Sequence, residues 1–236
     1  MKQVLFAIIL IMMTGIFTGC KKVFPDGPAI KELRNVSDFE KIEAGFSGNV
    51  FFVQGVSKKV EVEAASNIQQ YIITEVKNGT LRMRTQPNVN IRGGSVNIYV
   101  TNPTISRATL AGSGNISFNS NLSTSSLELI LSGSGNISLP KILTNSLQAS
   151  ITGSGNISIS EGEFTKQDIV ITGNGDYMSS QIPSEESKVK ITGSGNATVW
   201  VNNKLDITIT GSGDVWYKGN PIINTTITGS GKVRKL

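Results

Sequence analysis

One corner, repeated seven times, constrains this chain more than any other feature. The copies read AGSGNISF from Ala111, SGSGNISL from Ser132, TGSGNISI from Thr152, TGNGDYMS from Thr172, TGSGNATV from Thr192, TGSGDVWY from Thr210 and TGSGKVRK from Thr228. The first glycines are Gly112, Gly133, Gly153, Gly173, Gly193, Gly211 and Gly229, so the steps are 21, 20, 20, 20, 18 and 18 residues. The second glycines are Gly114, Gly135, Gly155, Gly175, Gly195, Gly213 and Gly231. A period near twenty over more than half of 236 residues is the signature of a solenoid.

Both flanks of the corner alternate. LELIL, LQASI, DIVI, KVKI, LDITI and NTTI lead into it with an apolar residue at every second place. Past it, Ile116 and Phe118, Ile137 and Leu139, Ile157 and Ile159, and Val215 and Tyr217 are apolar around a polar or variable residue. Period two on each side means strands with one buried face. A unit of 18–21 residues cannot bury that face alone, but stacked units can. The expected fold is therefore all-β, a parallel β-helix whose coils lie about 4.8 Å apart.

The glycines read as architecture. A chain turning at the same corner of every coil is expected to need a positive φ there, from Gly or Asn. The following Asn or Asp can bond neighbouring backbone and stack as a ladder. Nucleotide-loop readings fail: no third glycine completes a dinucleotide fingerprint, and Val233 stands where a P-loop needs Ser or Thr. Gly173, Gly175 and Asp176 imitate part of a calcium-binding repeat, but most corners carry neutral Asn, so no metal is expected.

The N-terminus is a targeting segment. In MKQVLFAIILIMMTGIFTGC, Lys2 precedes an uncharged apolar run and then small residues before Cys20, the order of a secretory signal. FTGC resembles the lipobox of bacterial lipoproteins, in which the cysteine is lipidated and becomes the mature N-terminus; Phe17 departs from the usual leucine. An uncleaved anchor, or an ordinary signal with a stray cysteine, stands as an alternative. Cys20 is the only cysteine, so no internal disulfide explains it. The expectation is a signal over residues 1–19, lipidation at Cys20, and a tether over 20–35 ahead of a domain spanning 36–236.

Residues 36–110 read as irregular first layers and 111–236 as regular coils. GFSGNVFFV holds a weaker corner at Ser47, Gly48 and Asn49. Asn78-Gly79 lies between two alternating runs, a hairpin signal, and SNIQQYI allows one helical turn.

The repeated TGSGN and TGSGD corners, FEKIEAGFSGNVFFVQG and EVKNGTLRMR upstream, and GSGDVWYKGNP and TGSGKVRKL at the end resemble one bacterial family. It is the family described as "putative auto-transporter adhesin, head GIN domain", common in Bacteroidetes envelopes, and the resemblance covers residues 36–236. It implies a right-handed β-helix and an exported location, without an established activity. The solenoid runs to the last residue with no sequence for a membrane barrel, so the lipid is the expected anchor, in the outer membrane of a Gram-negative bacterium.

Site chemistry is sparse. There is no His, which removes the commonest general base and metal ligand. Asp176 and Asp214 share a corner two coils apart, about 9.6 Å, a spacing that would suit an inverting glycosidase pair. Both are equally turn residues interchangeable with Asn, and no nucleophile–base pair is suggested, so no catalytic residue or cofactor is expected. A polar ladder of Ser132, Thr152, Thr172, Thr192, Thr210 and Thr228 faces outward, with a second column interrupted by Val170 and Lys190. Trp216 takes an outward place held elsewhere by Ser or Thr, and Trp200 lies beyond the core alternation. These two are the candidate binding surface, with an end cap as the rival role. Charge is balanced over 111–236, and no basic run marks a nucleic-acid partner. The reading is a non-enzymatic envelope lipoprotein, an adhesin or surface-binding module for glycans or surface proteins. A carbohydrate-active enzyme and a purely structural envelope protein are the alternatives.

Overall fold

Lys41–Gly45 and Asn49–Gln54 are the two strands of the first coil, on either side of a corner at Phe46, Ser47 and Gly48. In this computed structural model, which describes residues 20–236, that coil is the template for the rest. Arg107–Gly112 and Asn115–Phe118 lie directly on it in parallel register, Ala108 over Ile42 and Ile116 over Val50. Later coils repeat the pairing: Leu129 on Ala108, Ala149 on Leu129, Ile169 on Ala149, Val189 on Ile169 and Ile207 on Val189. The chain is thus an all-β solenoid of about 6 turns. Inward residues form columns of Leu, Ile, Val and Ala that are almost wholly buried, because each is covered by its counterpart one coil above and below.

The N-terminal end of the stack is closed with antiparallel strands. On one sheet, Ile72–Lys77 hairpins with Thr80–Thr85, which pairs with the first coil. Asn78 and Gly79 have φ of 52° and 69°, as a two-residue hairpin turn requires. On the other sheet, Asn97–Asn102 pairs with the first coil, then Lys59–Ala65 and Ala29–Leu33 follow in antiparallel order. The single helical turn among the described residues, Gln69–Tyr71, is a 3-10 turn; Gln69 Nε2 donates to the carbonyls of Ile30 and Val62, tying it to these strands. These layers cover the end of the core, with Ala29–Leu33 and Ile72–Lys77 as the outermost strands.

The tether expected over residues 20–35 is corrected. Lys21–Val23 pairs in parallel with Val89–Ile91, and Ala29–Leu33 forms the outermost antiparallel strand. Apolar Val23 is buried and the strands' amides find backbone partners, so this stretch is part of the domain. The expected signal, residues 1–19, lies outside the described residues.

The corners correct the expected role of half the glycines. Positive φ belongs to the first glycine only, for example 121° at Gly153 and 122° at Gly173, and neither Gly155 nor Asn156 adopts it. Gly155 is needed for a different reason: a β-carbon on it would stand 2.0 Å from the carbonyl oxygen of Gly135 in the coil below. The same overlap recurs at Gly114, Gly135, Gly175, Gly195, Gly213 and Gly231, all at 2.3 Å or less. Gly112 follows neither rule closely: it lacks a positive φ, and a β-carbon on it would stand 3.0 Å from the Phe46 carbonyl oxygen.

Candidate functional site

After each corner, one residue forms a continuous ladder along the stack. Its rungs are Asn97, Asn49, Asn115, Asn136, Asn156, Asp176, Asn196, Asp214 and Lys232. Asn156 donates its backbone N–H and Nδ2 to Asn136 Oδ1, at 3.3 and 3.2 Å. Asn196 does the same to Asp176 Oδ1, at 2.9 Å each. Asp214 and Lys232 donate backbone N–H groups to Asn196 Oδ1 and Asp214 Oδ1, at 3.0 and 2.8 Å. Within the ladder each of the two carboxylates accepts from the coil above, as an asparagine carbonyl does. Asn196 between them donates the side-chain hydrogen bond that an aspartate there could not. Among the described residues, no three of His, Cys, Asp and Glu gather as metal ligands would.

Outward positions of the strand leaving the corner form two columns. The first runs Phe51, Ser117, Ser138, Ser158, Met178, Thr198, Trp216 and Arg234. In the second, Pro183, Trp200 and Lys218 are neighbours. Trp200 and Trp216 therefore point out of the same sheet on adjacent coils, offset by two places along the strand, and both are partly exposed. Lys218 Nζ lies 5.8 Å from the centre of the Trp200 ring. The structure brings the two candidate tryptophans together. The Thr ladder is also exposed as expected, but on the strand before the corner, from Ser132 to Thr228.

A second aromatic pair escaped the sequence reading. Phe51 and Tyr99, at the start of the same first column, stack with ring centres 5.2 Å apart, and Lys31 Nζ stands 4.2 Å from the Tyr99 ring. The FF pair at 51–52 held the signal: alternation sends one ring in and the other out. The cation beside each tryptophan was legible too, since an 18-residue step sets Lys218 opposite Trp200 and Arg234 opposite Trp216.

Beneath the tryptophans lies a buried polar network that no periodicity announces. Gln167 Oε1 accepts from Tyr177 Oη at 3.0 Å and Ser179 Oγ at 3.2 Å, and Gln167 Nε2 donates to Ser184 Oγ at 3.0 Å. Ser184 Oγ in turn donates to the Trp200 carbonyl at 2.9 Å. Burial pushes the Tyr177 phenol far above its ordinary range. The network sits where the coil shortens from 20 to 18 residues: strand Tyr177–Gly193 bulges between Met178 and Pro183 and again after Ser184. Bulges strand backbone groups, and the serines supply partners for them.

Cys20 is exposed at the other end of the stack, beside Phe46, Gly48 and Val89. No helix of the described residues is long and apolar enough to cross a membrane.

The profile of the family described as "putative auto-transporter adhesin, head GIN domain" matches residues 38–221. The chain belongs to this family. Several solved structures share its fold. A putative adhesin from Bacteroides fragilis superposes with a TM-score of 0.85 at 23% identity, over 91% of this chain and 100% of that one. A putative lipid binding protein from Parabacteroides distasonis gives 0.77 at 23%, over 92% and 100%. A putative adhesin from Parabacteroides merdae gives 0.75 at 22%, over 92% and 99%. At such identities the likeness carries the fold and no ligand. No curated protein matches the sequence.

Proposed function

We propose that this head GIN protein is an exported lipoprotein, anchored through Cys20, that acts as a non-enzymatic adhesin through the Trp200–Trp216 face. The observation that carries the reading is the placement of these two features. Cys20 borders the first coil at Gly48. Trp216 lies six strand pairings along the column from Phe51 of that coil, about 29 Å at about 4.8 Å per pairing. A lipid at one end would hold the aromatic face well clear of the bilayer. Partly exposed tryptophans on a rigid sheet lose little conformational entropy on contact, which suits them as anchors. The adhesin names of the family and its structural relatives support the same class of function. The use of Asp176 and Asp214 as ladder rungs speaks against their working as a catalytic pair.

Trp216→Ser tests the reading with two measurements on one variant. Ser or Thr occupies that column in several other coils, so the unfolding temperature should hold. Adhesion of the full chain to host-matrix and glycan surfaces should weaken by about 2 kcal/mol. A lower unfolding temperature with unchanged adhesion would make Trp216 an end cap and sink the proposed face.

A further inference from the structure

The outer face of the last coils carries aromatic and cationic side chains in a two-by-two block. Trp216 and Lys218 are outward neighbours on one strand. Trp216 pairs in register with Arg234, and Lys218 with Trp200. Each indole thus has a cation as its cross-strand neighbour, about 4.8 Å away along the stack. Lys218 and Lys232 have no carboxylate at ion-pair distance among the described residues, while Arg234 NH2 approaches Asp214 at 3.6 Å. From Val215 to Leu236 the side chains include four cations, Lys218, Lys232, Arg234 and Lys235, and no acid.

We infer that this block binds an acidic polysaccharide, with a sugar ring against an indole and its carboxylate or sulfate on Lys218 or Arg234. The inference rests on the Trp200–Trp216 face being the contact surface. A neutral glycan would use the rings and leave Lys218 without a carboxylate partner, whereas an anionic one forms charge-assisted hydrogen bonds beside each ring. An apolar protein partner would have to desolvate Lys218 without a carboxylate to compensate it. Leading away from the block, the first column continues past Met178 to the hydroxyls of Ser158, Ser138 and Ser117. That track offers hydrogen bonds to a polymer and nothing to lipid chains.

The test uses the full chain, purified in detergent, with four probes: polygalacturonate, dextran sulfate, neutral dextran, and vesicles of phosphatidylcholine with phosphatidylglycerol. Both acidic polymers should bind, dextran at least tenfold more weakly, and affinity should fall as salt rises. The double variant Lys218→Gln/Arg234→Gln should lose at least tenfold for the acidic polymers at an unchanged unfolding temperature. Dextran binding as tightly as the acidic polymers, vesicles binding alone, no probe binding, or a double variant of undiminished affinity would each overturn the inference. If such binding to dextran or vesicles is still lost in Trp216→Ser, the contact face stands and only its acidic ligand falls. Polymer binding indifferent to Trp216→Ser overturns the face itself.

Discussion

Gly155 sits so closely over Gly135 that a β-carbon on it would meet the Gly135 carbonyl oxygen at 2.0 Å. Main chain, which cannot rotate aside as a side chain can, fills the space. Coil spacing is fixed by hydrogen bonds along every strand, so a methyl group at this point must push two coils apart or bend the corner. Gly153, two places earlier, meets two obstacles, a φ of 121° and a β-carbon position 2.4 Å from the Gly133 carbonyl oxygen.

Gly155→Ala should therefore destabilise the domain by about 1–3 kcal/mol through overpacking, and Gly153→Ala by at least a similar amount through backbone strain together with the same kind of overlap. Ser154→Ala, exposed between them, should stay within about 0.5 kcal/mol. Denaturant unfolding of the three variants checks this, and a Ser154→Ala shift as large as the two glycine shifts would refute the roles of the glycines.

Asn156→Ala should cost about 1–3 kcal/mol, because the backbone N–H of Asp176 loses its acceptor at 3.0 Å. Asp176→Asn keeps the acceptor for Asn196 and should cost about 0.5 kcal/mol or less. Unfolding midpoints decide the comparison.

Gln167→Leu should be more damaging than Tyr177→Phe. The first strips partners from three buried hydroxyls at once; the second removes one donor and leaves Ser179 Oγ on Gln167 Oε1. Expected losses are about 2–4 and about 1 kcal/mol, by thermal or denaturant unfolding.

Stability at the N-terminal end should respond to pH through Glu63 and Tyr99. The Tyr99 hydroxyl, 2.7 Å away, and then the Asn97 amide hold the Glu63 carboxyl below its ordinary range. A lowered carboxyl pKa favours folding at pH above the unfolded value near 4.5, and the gain disappears as pH falls through the lower folded value. The phenol moves the other way: Glu63 and burial raise it, so its contribution is complete below about 10 and is lost as pH rises through the higher folded value. Tyr99→Phe should flatten both limbs of a stability–pH profile; an unchanged profile would mean this pair is not coupled to folding.

Cys20→Ser should release the protein from the membrane fraction and remove the lipid mass if the anchor is as proposed. Unchanged fractionation and mass would end the lipoprotein reading.

Much of this architecture is local and repetitive, and so it was readable as text. Alternation decides which residues point inward, a period of 18–21 decides that inward columns must stack, and Asn78-Gly79 decides a hairpin. None of these depends on distant contacts. The tether over 20–35 was misread because its strands have partners some 30 to 70 residues away, Val89–Ile91 and Lys59–Ala65, and no local pattern names them. The second glycine of each corner was assigned the wrong cause because close approach between coils, unlike backbone conformation, exists only once coils are stacked. The Gln167 network belongs to a single irregular turn and has no repeat to betray it. The block of Trp200, Trp216, Lys218 and Arg234 lies between. Its residues and the 18-residue step are in the sequence, and the step sets which residue lies opposite which, but how far the indoles and cations stand out of the sheet is decided only once the coils are packed.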